Sequence, residues 1–141
     1  MTEYAIEMTD EITDEMDEVI RDGLNAYNDE ITEYSDRRSL AIVVKDTRTG
    51  HVIGGMLGRS SLGLLFIELV FLPKTLRNSG LGSALLKKFE DEGRARGCLS
   101  AVLYTISFQA PEFYEKHGWH KFGEVSCNPP GTSRIFMSKP L

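Results

Sequence analysis

Apolar and polar residues alternate at Tyr4, Ile6 and Met8, which predicts a short half-buried strand. The period then changes. Ile12, Met16, Val19, Ile20, Leu24, Tyr27 and Ile31 recur at three- and four-residue steps, an apolar stripe on a helix whose other face is acidic. Thr9 or Asp10 offers the N-cap, Asp10, Glu11, Asp14 and Glu15 suit the positive end of the helix dipole, and Gly23 is a place for a kink or division. Leu40 to Lys45 and Val52 to Leu57 are strand-like and flank Asp46-Thr47-Arg48-Thr49-Gly50, a hairpin signal. After a second break at Ser60-Ser61-Leu62-Gly63, Leu64 to Leu72 is apolar on both faces, the mark of a central strand, with Glu68 its lone charge and Pro73 its end.

Leu81, Leu85, Phe89 and Gly93 predict a second helix, stopped at Gly97. Ala101 to Ile106 reads as another strand, Ala110 to Lys116 as a short helix capped by Gly118, and Trp119 to Val125 and Arg134 to Ser138 as a final strand pair. The order of strands and helices predicts an α/β domain with a mixed sheet. The chain has 141 residues, the usual size of one domain, and no repeat or low-complexity linker divides it, so a single domain over 1–141 is expected.

Composition and charge narrow the classes. With 41% hydrophobic and 26% charged residues the chain is of globular type. No stretch has the roughly 20 apolar residues that cross a bilayer, and the N-terminus lacks the basic and apolar regions of a signal peptide, so a cytoplasmic protein without membrane contact is expected. Cys98 and Cys127 have no ligand spacing and read as free thiols; His51, His117 and His120 have no metal-binding spacing, and no metal is expected. Residues 1–36 hold 13 acids and one base, net −12, while residues 37–141 hold 8 acids and 15 bases, net +7. That balance disfavours nucleic acid as a partner but leaves room for local anion binding in the basic part.

The informative stretch runs from Val70 to Leu85: a strand, then Pro73-Lys74-Thr75-Leu76-Arg77-Asn78-Ser79-Gly80-Leu81-Gly82-Ser83, then a helix. Backbone N–H groups of a first helical turn, with Gly80 and Gly82 admitting close approach and Arg77 and Lys74 adding cations, form an anion cradle. Gly80-Leu81-Gly82-Ser83-Ala84-Leu85 has leucine where a dinucleotide fingerprint needs its third glycine, and no Gly-Lys-Ser/Thr follows as a P-loop needs.

The remaining pattern, Arg77-x-x-Gly80-x-Gly82, resembles the pyrophosphate turn of the GNAT superfamily of N-acetyltransferases, with Asn78 where glycine is frequent. Ala110-Pro111-Glu112-Phe113-Tyr114-Glu115-Lys116-His117-Gly118-Trp119 is similar to a later segment of that family, and Ser107 stands where the family often has asparagine. Residue-level likeness covers Glu68 through Trp119. The resemblance implies a mixed, mostly antiparallel sheet with two splayed parallel strands and flanking helices. It implies acetyl-CoA as co-substrate, held by Val70, Phe71, Leu72, Arg77, Asn78, Ser79, Gly80, Leu81, Gly82, Ser83 and Ser107, and direct transfer in a ternary complex without an acyl-enzyme.

Acetylation of a primary amine needs a base, because an ammonium is protonated at neutral pH, and an acid for the leaving thiolate. Glu68 is the candidate base, in a strand where desolvation would make its carboxylate a better proton acceptor. Tyr114 holds the position of the acid. Asp29, Glu30, Glu33 and Asp36 close the acidic segment that, in the resembling family, walls the acceptor groove, and they favour a small cationic amine. Two other readings stay open: transfer to a protein amine, and an acyl-CoA-binding interaction module without turnover. A homodimer is the expected assembly.

Overall fold

The computed structural model of the chain describes residues 3–141. They form two units, divided between Ser35 and Asp36. In the first, residues 3–13 have no regular secondary structure, so the strand expected at Tyr4, Ile6 and Met8 is absent. Alternation over three apolar residues creates a face but no partner edge, and a strand needs both. The helix, α1 (Asp14–Thr32), starts later than expected: Thr13, not Thr9 or Asp10, is its N-cap. The Thr13 hydroxyl accepts from the Met16 amide at 3.2 Å, and the Met16 sulfur accepts from the Thr13 amide at 3.5 Å, a reciprocal cap. α1 runs unbroken through Gly23. A single glycine costs a helix only about 1 kcal/mol, too little to divide a well-capped one.

The second unit holds the sheet. Its elements are β1 (Arg37–Lys45), β2 (Val52–Ser61), β3 (Leu64–Phe71), α2 (Leu81–Ala95), β4 (Ser100–Ile106), α3 (Pro111–Lys116), β5 (His120–Cys127) and β6 (Thr132–Pro140). Strand order is β1-β2-β3-β4-β6-β5. Only β3 and β4 run parallel; the other neighbours are antiparallel. This is the mixed sheet with one parallel pair and flanking helices that the sequence predicts. The β1–β2 turn is fastened by the Asp46 carboxylate, which accepts from the Arg48 amide at 2.8 Å. Leu62 and Gly63, both at positive φ (48° and 80°), make the two-residue turn into β3.

One face of the sheet carries the core. Leu85, Leu86 and Phe89 of α2 pack with Met56, Leu65, Leu103 and Met137, and Tyr114 and Trp119 extend the same cluster around α3. Within it Glu90 is buried, its carboxylate accepting from the Lys139 ammonium at 2.6 Å and from Trp119 Nε1 at 3.2 Å. Arg96 binds Glu92 and donates to the carbonyls of Arg38 and Ser39 and to Ser60 Oγ, tying α2 to β1 and β2.

Two features of β3 position the site. Its parallel ladder to β4 comprises Leu64↔Ser100, Leu65↔Ala101 and Phe66↔Val102, and beyond these pairs the strands separate. Its antiparallel ladder to β2 passes from Leu57↔Leu69 to Gly58↔Ile67, leaving Glu68 as the extra residue of a bulge.

Candidate active site

Where β3 and β4 part, a cleft of about 210 Å³ opens, lined by Ile67 to Val70 of β3, Leu103 to Ile106 of β4, and Gln109, Tyr114 and Arg134. Glu68 and Tyr114, 46 positions apart in sequence, thus share one cleft. The back half of the strand read as apolar on both faces is exposed: Leu69, Val70 and Phe71 are 66%, 42% and 60% accessible. The side chains of Leu69 and Val70 belong to the cleft wall rather than to the core.

Glu68 differs from its expectation. Its side chain is half exposed, and Oε1 lies 2.9 Å from Nε of Arg59, whose guanidinium stacks 3.9 Å over the Phe66 ring. The carboxylate is thus hydrated rather than enclosed by the strand's apolar neighbours. The bulge aims it and Arg59 orients it. Tyr114 is buried, 7% accessible, and burial pushes its hydroxyl above the ordinary value of 10.0. Among the described residues no protein group pairs with that hydroxyl, which leaves its proton for whatever enters the cleft.

The anion cradle is built mainly of main chain. Gly80, at φ 83°, is the N-cap of α2 and supplies no side-chain cap. Ala84 N is the first helical amide to reach back, at 3.1 Å to the Gly80 carbonyl. The amides of Leu81, Gly82 and Ser83 therefore remain as donors at the positive end of a 15-residue helix. The nearby side chains hold the turn: Arg77 Nε donates to the Leu72 carbonyl at 3.0 Å and Ser79 Oγ to the Leu76 carbonyl at 2.6 Å. Asn78 takes the left-handed backbone at φ 60°, a conformation that asparagine tolerates better than most residues. Ser83 Oγ and His117 Nε2 are hydrogen-bonded at 2.9 Å, and Nδ1 of that ring donates to the Phe113 carbonyl at 2.8 Å.

Two placements revise the sequence reading. A Cβ on Gly82 would meet the Phe113 ring at 3.3 Å and Leu72 at 3.7 Å, so this glycine lets α3 approach α2, whereas a Cβ on Gly80 would meet nothing within 4 Å. Ser107 lies outside the cleft lining and fastens strand ends instead, its hydroxyl accepting from the Ser133 amide at 3.0 Å. Lys87 is paired with Asp91 at 2.7 Å. Arg59, Gln109 and Arg134 are polar site residues that the sequence did not disclose. Their positions depend on pairing register and on a loop after β4, neither of which leaves a local motif.

These features fit an elongated acyl-CoA: uncapped helix amides and open space at Gly80 for phosphate, and an unpaired edge of β3 for an extended amide-bearing arm. No helix among the described residues is long and apolar enough to cross a membrane, and no metal-binding cluster occurs among them.

Residues 5–119 match the family described as acetyltransferase (GNAT) family. An acetyltransferase of Agrobacterium fabrum is 34% identical over 125 residues, covering 89% of this chain and 90% of its own. Blasticidin-S acetyltransferase of Streptomyces morookaense is 31% identical over 93 residues, 65% of this chain and 68% of its own. The crystal structure of an Agrobacterium tumefaciens chain assigned as an acetyltransferase superposes with a TM-score of 0.90 at 32% identity, covering 98% of this chain and all of that one. These likenesses place the chain among acyltransferases. The chain belongs to the GNAT acetyltransferase family.

Proposed function

We propose that this acetyltransferase uses acetyl-CoA and acetylates the primary amine of a small, cationic acceptor, with both substrates in the cleft together. The observation that carries the reading is the end of the β3–β4 ladder after Phe66 and Val102, with Glu68 and Tyr114 in the same opening. Bound acetyl-CoA would supply the acetyl group activated as a thioester. The amides of residues 81–83 would hold its phosphates, and the free edge of β3 around Val70 would align its arm and polarise the carbonyl.

Glu68 takes the proton from the acceptor ammonium, directly or through one water, since half its side chain is open to solvent. Tyr114 presents its phenolic proton where the thiolate leaves. Its raised pKa keeps the hydroxyl protonated across the working range. No cysteine is needed: Cys98 is buried away from the cleft lining, and burial pushes its thiol up. The acidic segment of residues 1–36, net −12, supports a cationic acceptor through its long-range field. The test is thiol release from acetyl-CoA over a panel of amines. Turnover of primary amines, with cationic ones preferred, supports the reading. Tight acetyl-CoA binding without turnover on any amine overturns it.

A further inference from the structure

The cleft is lined by residues from both faces of the sheet. Along β4, Leu103 and Thr105 are buried on the face that α2 and α3 cover, while Tyr104 and Ile106 point to the opposite face by the two-residue period of a strand. β6 alternates likewise: Ser133, Ile135 and Met137 are buried on the helix side, so Arg134, Phe136 and Ser138 stand on the other. Tyr114 and the α2 cradle therefore approach the cleft from the helix side, and Arg134 approaches it from the far side.

Besides the Tyr114 hydroxyl, two side chains of this cleft carry N–H donors with no oxygen acceptor among the described residues. Gln109 Oε1 accepts from the Ile106 amide at 3.1 Å and from the Thr105 hydroxyl at 2.9 Å. A backbone N–H can only donate, so this pairing fixes the carboxamide orientation and leaves Nε2 as a donor. Arg134 is half-buried on β6, between Ile106 and Val125. Its guanidinium makes one contact, Nη1 to Cys127 Sγ at 3.3 Å, and among the described residues it has no carboxylate partner. The acid of the cleft, Glu68, is engaged by Arg59. A guanidinium held by one sulfur contact and facing no carboxylate keeps most of its N–H donors for an anionic ligand.

We propose that Arg134, assisted by Gln109 Nε2, binds a carboxylate of the acceptor, so that the acceptor is an amino-acid-like molecule bearing a carboxylate beside its amines. The inference rests on the acetyl-transfer reading above and specifies its substrate class. The chain's net charge of −5 favours a net-cationic acceptor, and Arg134 reads the carboxylate at close range. Because Arg134 lies on the face away from the cradle, its ligand is the acceptor rather than the cofactor.

Matched amines test this: a diamino acid, its carboxamide and the decarboxylated diamine, with glycine and glycinamide as a second set. Each is assayed by thiol release, and separately by calorimetry in the presence of CoA. The field alone would rank the diamine first, whereas Arg134 ranks the amino acid first. The expected result is a kcat/KM preference of about 10- to 100-fold for the carboxylate-bearing member, the scale of a charge-assisted bidentate contact. Arg134→Gln should bring that ratio close to one with an unchanged KM for acetyl-CoA, and Arg134→Lys should retain part of it. Equal or better use of the carboxamide or diamine by the wild type overturns the proposal without needing any variant to fold. So does an Arg134→Gln variant that raises the KM for acetyl-CoA and keeps the acceptor ranking. Carboxylate-dependent binding that Arg134→Gln abolishes, without turnover of any amine, would sink the transfer reading and uphold the subsite. Absence of both would overturn the two together.

Discussion

Arg59 and Glu68 face each other across the β2–β3 hairpin with 2.9 Å between Nε and Oε1, although neither is the other's ladder partner. The bulge makes the meeting possible, since Glu68 is the residue without an opposite number on β2. Both side chains are half exposed, so the pair contributes at most about 1 kcal/mol to stability and its value lies in orientation. Glu68→Gln should lower kcat/KM by about 10²- to 10⁴-fold, most severely at low pH, where the acceptor is fully protonated. Arg59→Met should lower it less, by about 3- to 10-fold, with a melting temperature within about 2 °C of wild type. A pH–rate profile with a melt of each variant checks both statements.

Tyr114→Phe should lower kcat by about 10- to 100-fold with little change in cofactor affinity. The same substitution has a stability signature. The hydroxyl of Tyr114 titrates above 10.0 in the fold and near that value when unfolded. The unfolded state thus releases its proton first as pH rises, and stability falls above pH 10 by up to about 1.4 kcal/mol per pH unit. Urea midpoints between pH 8 and roughly 11 should decline less steeply in Tyr114→Phe than in wild type.

Gly82→Val should act through packing. Its Cβ meets Phe113 at 3.3 Å, and overfilling a packed contact costs about 1–3 kcal/mol. A lower melting temperature is expected, partly restored by adding Phe113→Leu. The cradle itself is tested at Gly80, where a Cβ has open space but the backbone is left-handed. Gly80→Ala should cost about 1–2 kcal/mol in backbone strain and weaken CoA binding by calorimetry.

Removing the buried carboxylate of Glu90 should be among the more damaging single changes. Glu90→Leu leaves Trp119 Nε1 without its acceptor and the Lys139 ammonium, held then only by the His117 carbonyl, without its counter-charge, at a cost of about 3–5 kcal/mol. Denaturant unfolding should show that loss, with kcat of the folded fraction nearly unchanged.

A cationic acceptor should show kcat/KM falling as ionic strength rises from about 0.02 to 0.5 M, where the Debye length shrinks to a few ångströms. A flat response would assign the 13 acids of residues 1–36 to solubility alone.

Sequence disclosed what is local. The turn from Pro73 to Ser83 and the helix bearing Tyr114 are contiguous motifs, and the six sheet strands follow from period and punctuation. What escaped depends on long-range pairing. Glu68 looked buried because its neighbours are apolar, but the ladder to β4 ends two residues before it. Arg59 and Arg134 acquire meaning only through register, which a bulge shifts by one residue. Tyr4, Ile6 and Met8 carry a strand pattern with no ladder, for the converse reason.

Among the described residues the backbone ladder between β3 and β4 has three residue pairs, with core side chains packed beneath it. The sheet is accordingly two triple-stranded plates, β1-β2-β3 and β4-β6-β5, stitched along a short seam. A ligand whose amides lie against the open edge would lengthen that stitching, and its binding free energy would appear as cohesion of the two plates, growing as RT ln(1 + [L]/Kd). Amide exchange in β3 and β4 should then slow when CoA is present. On the proposed reading, the slot that takes CoA is also the joint of the sheet, and the firmness of the sheet would rise with CoA concentration.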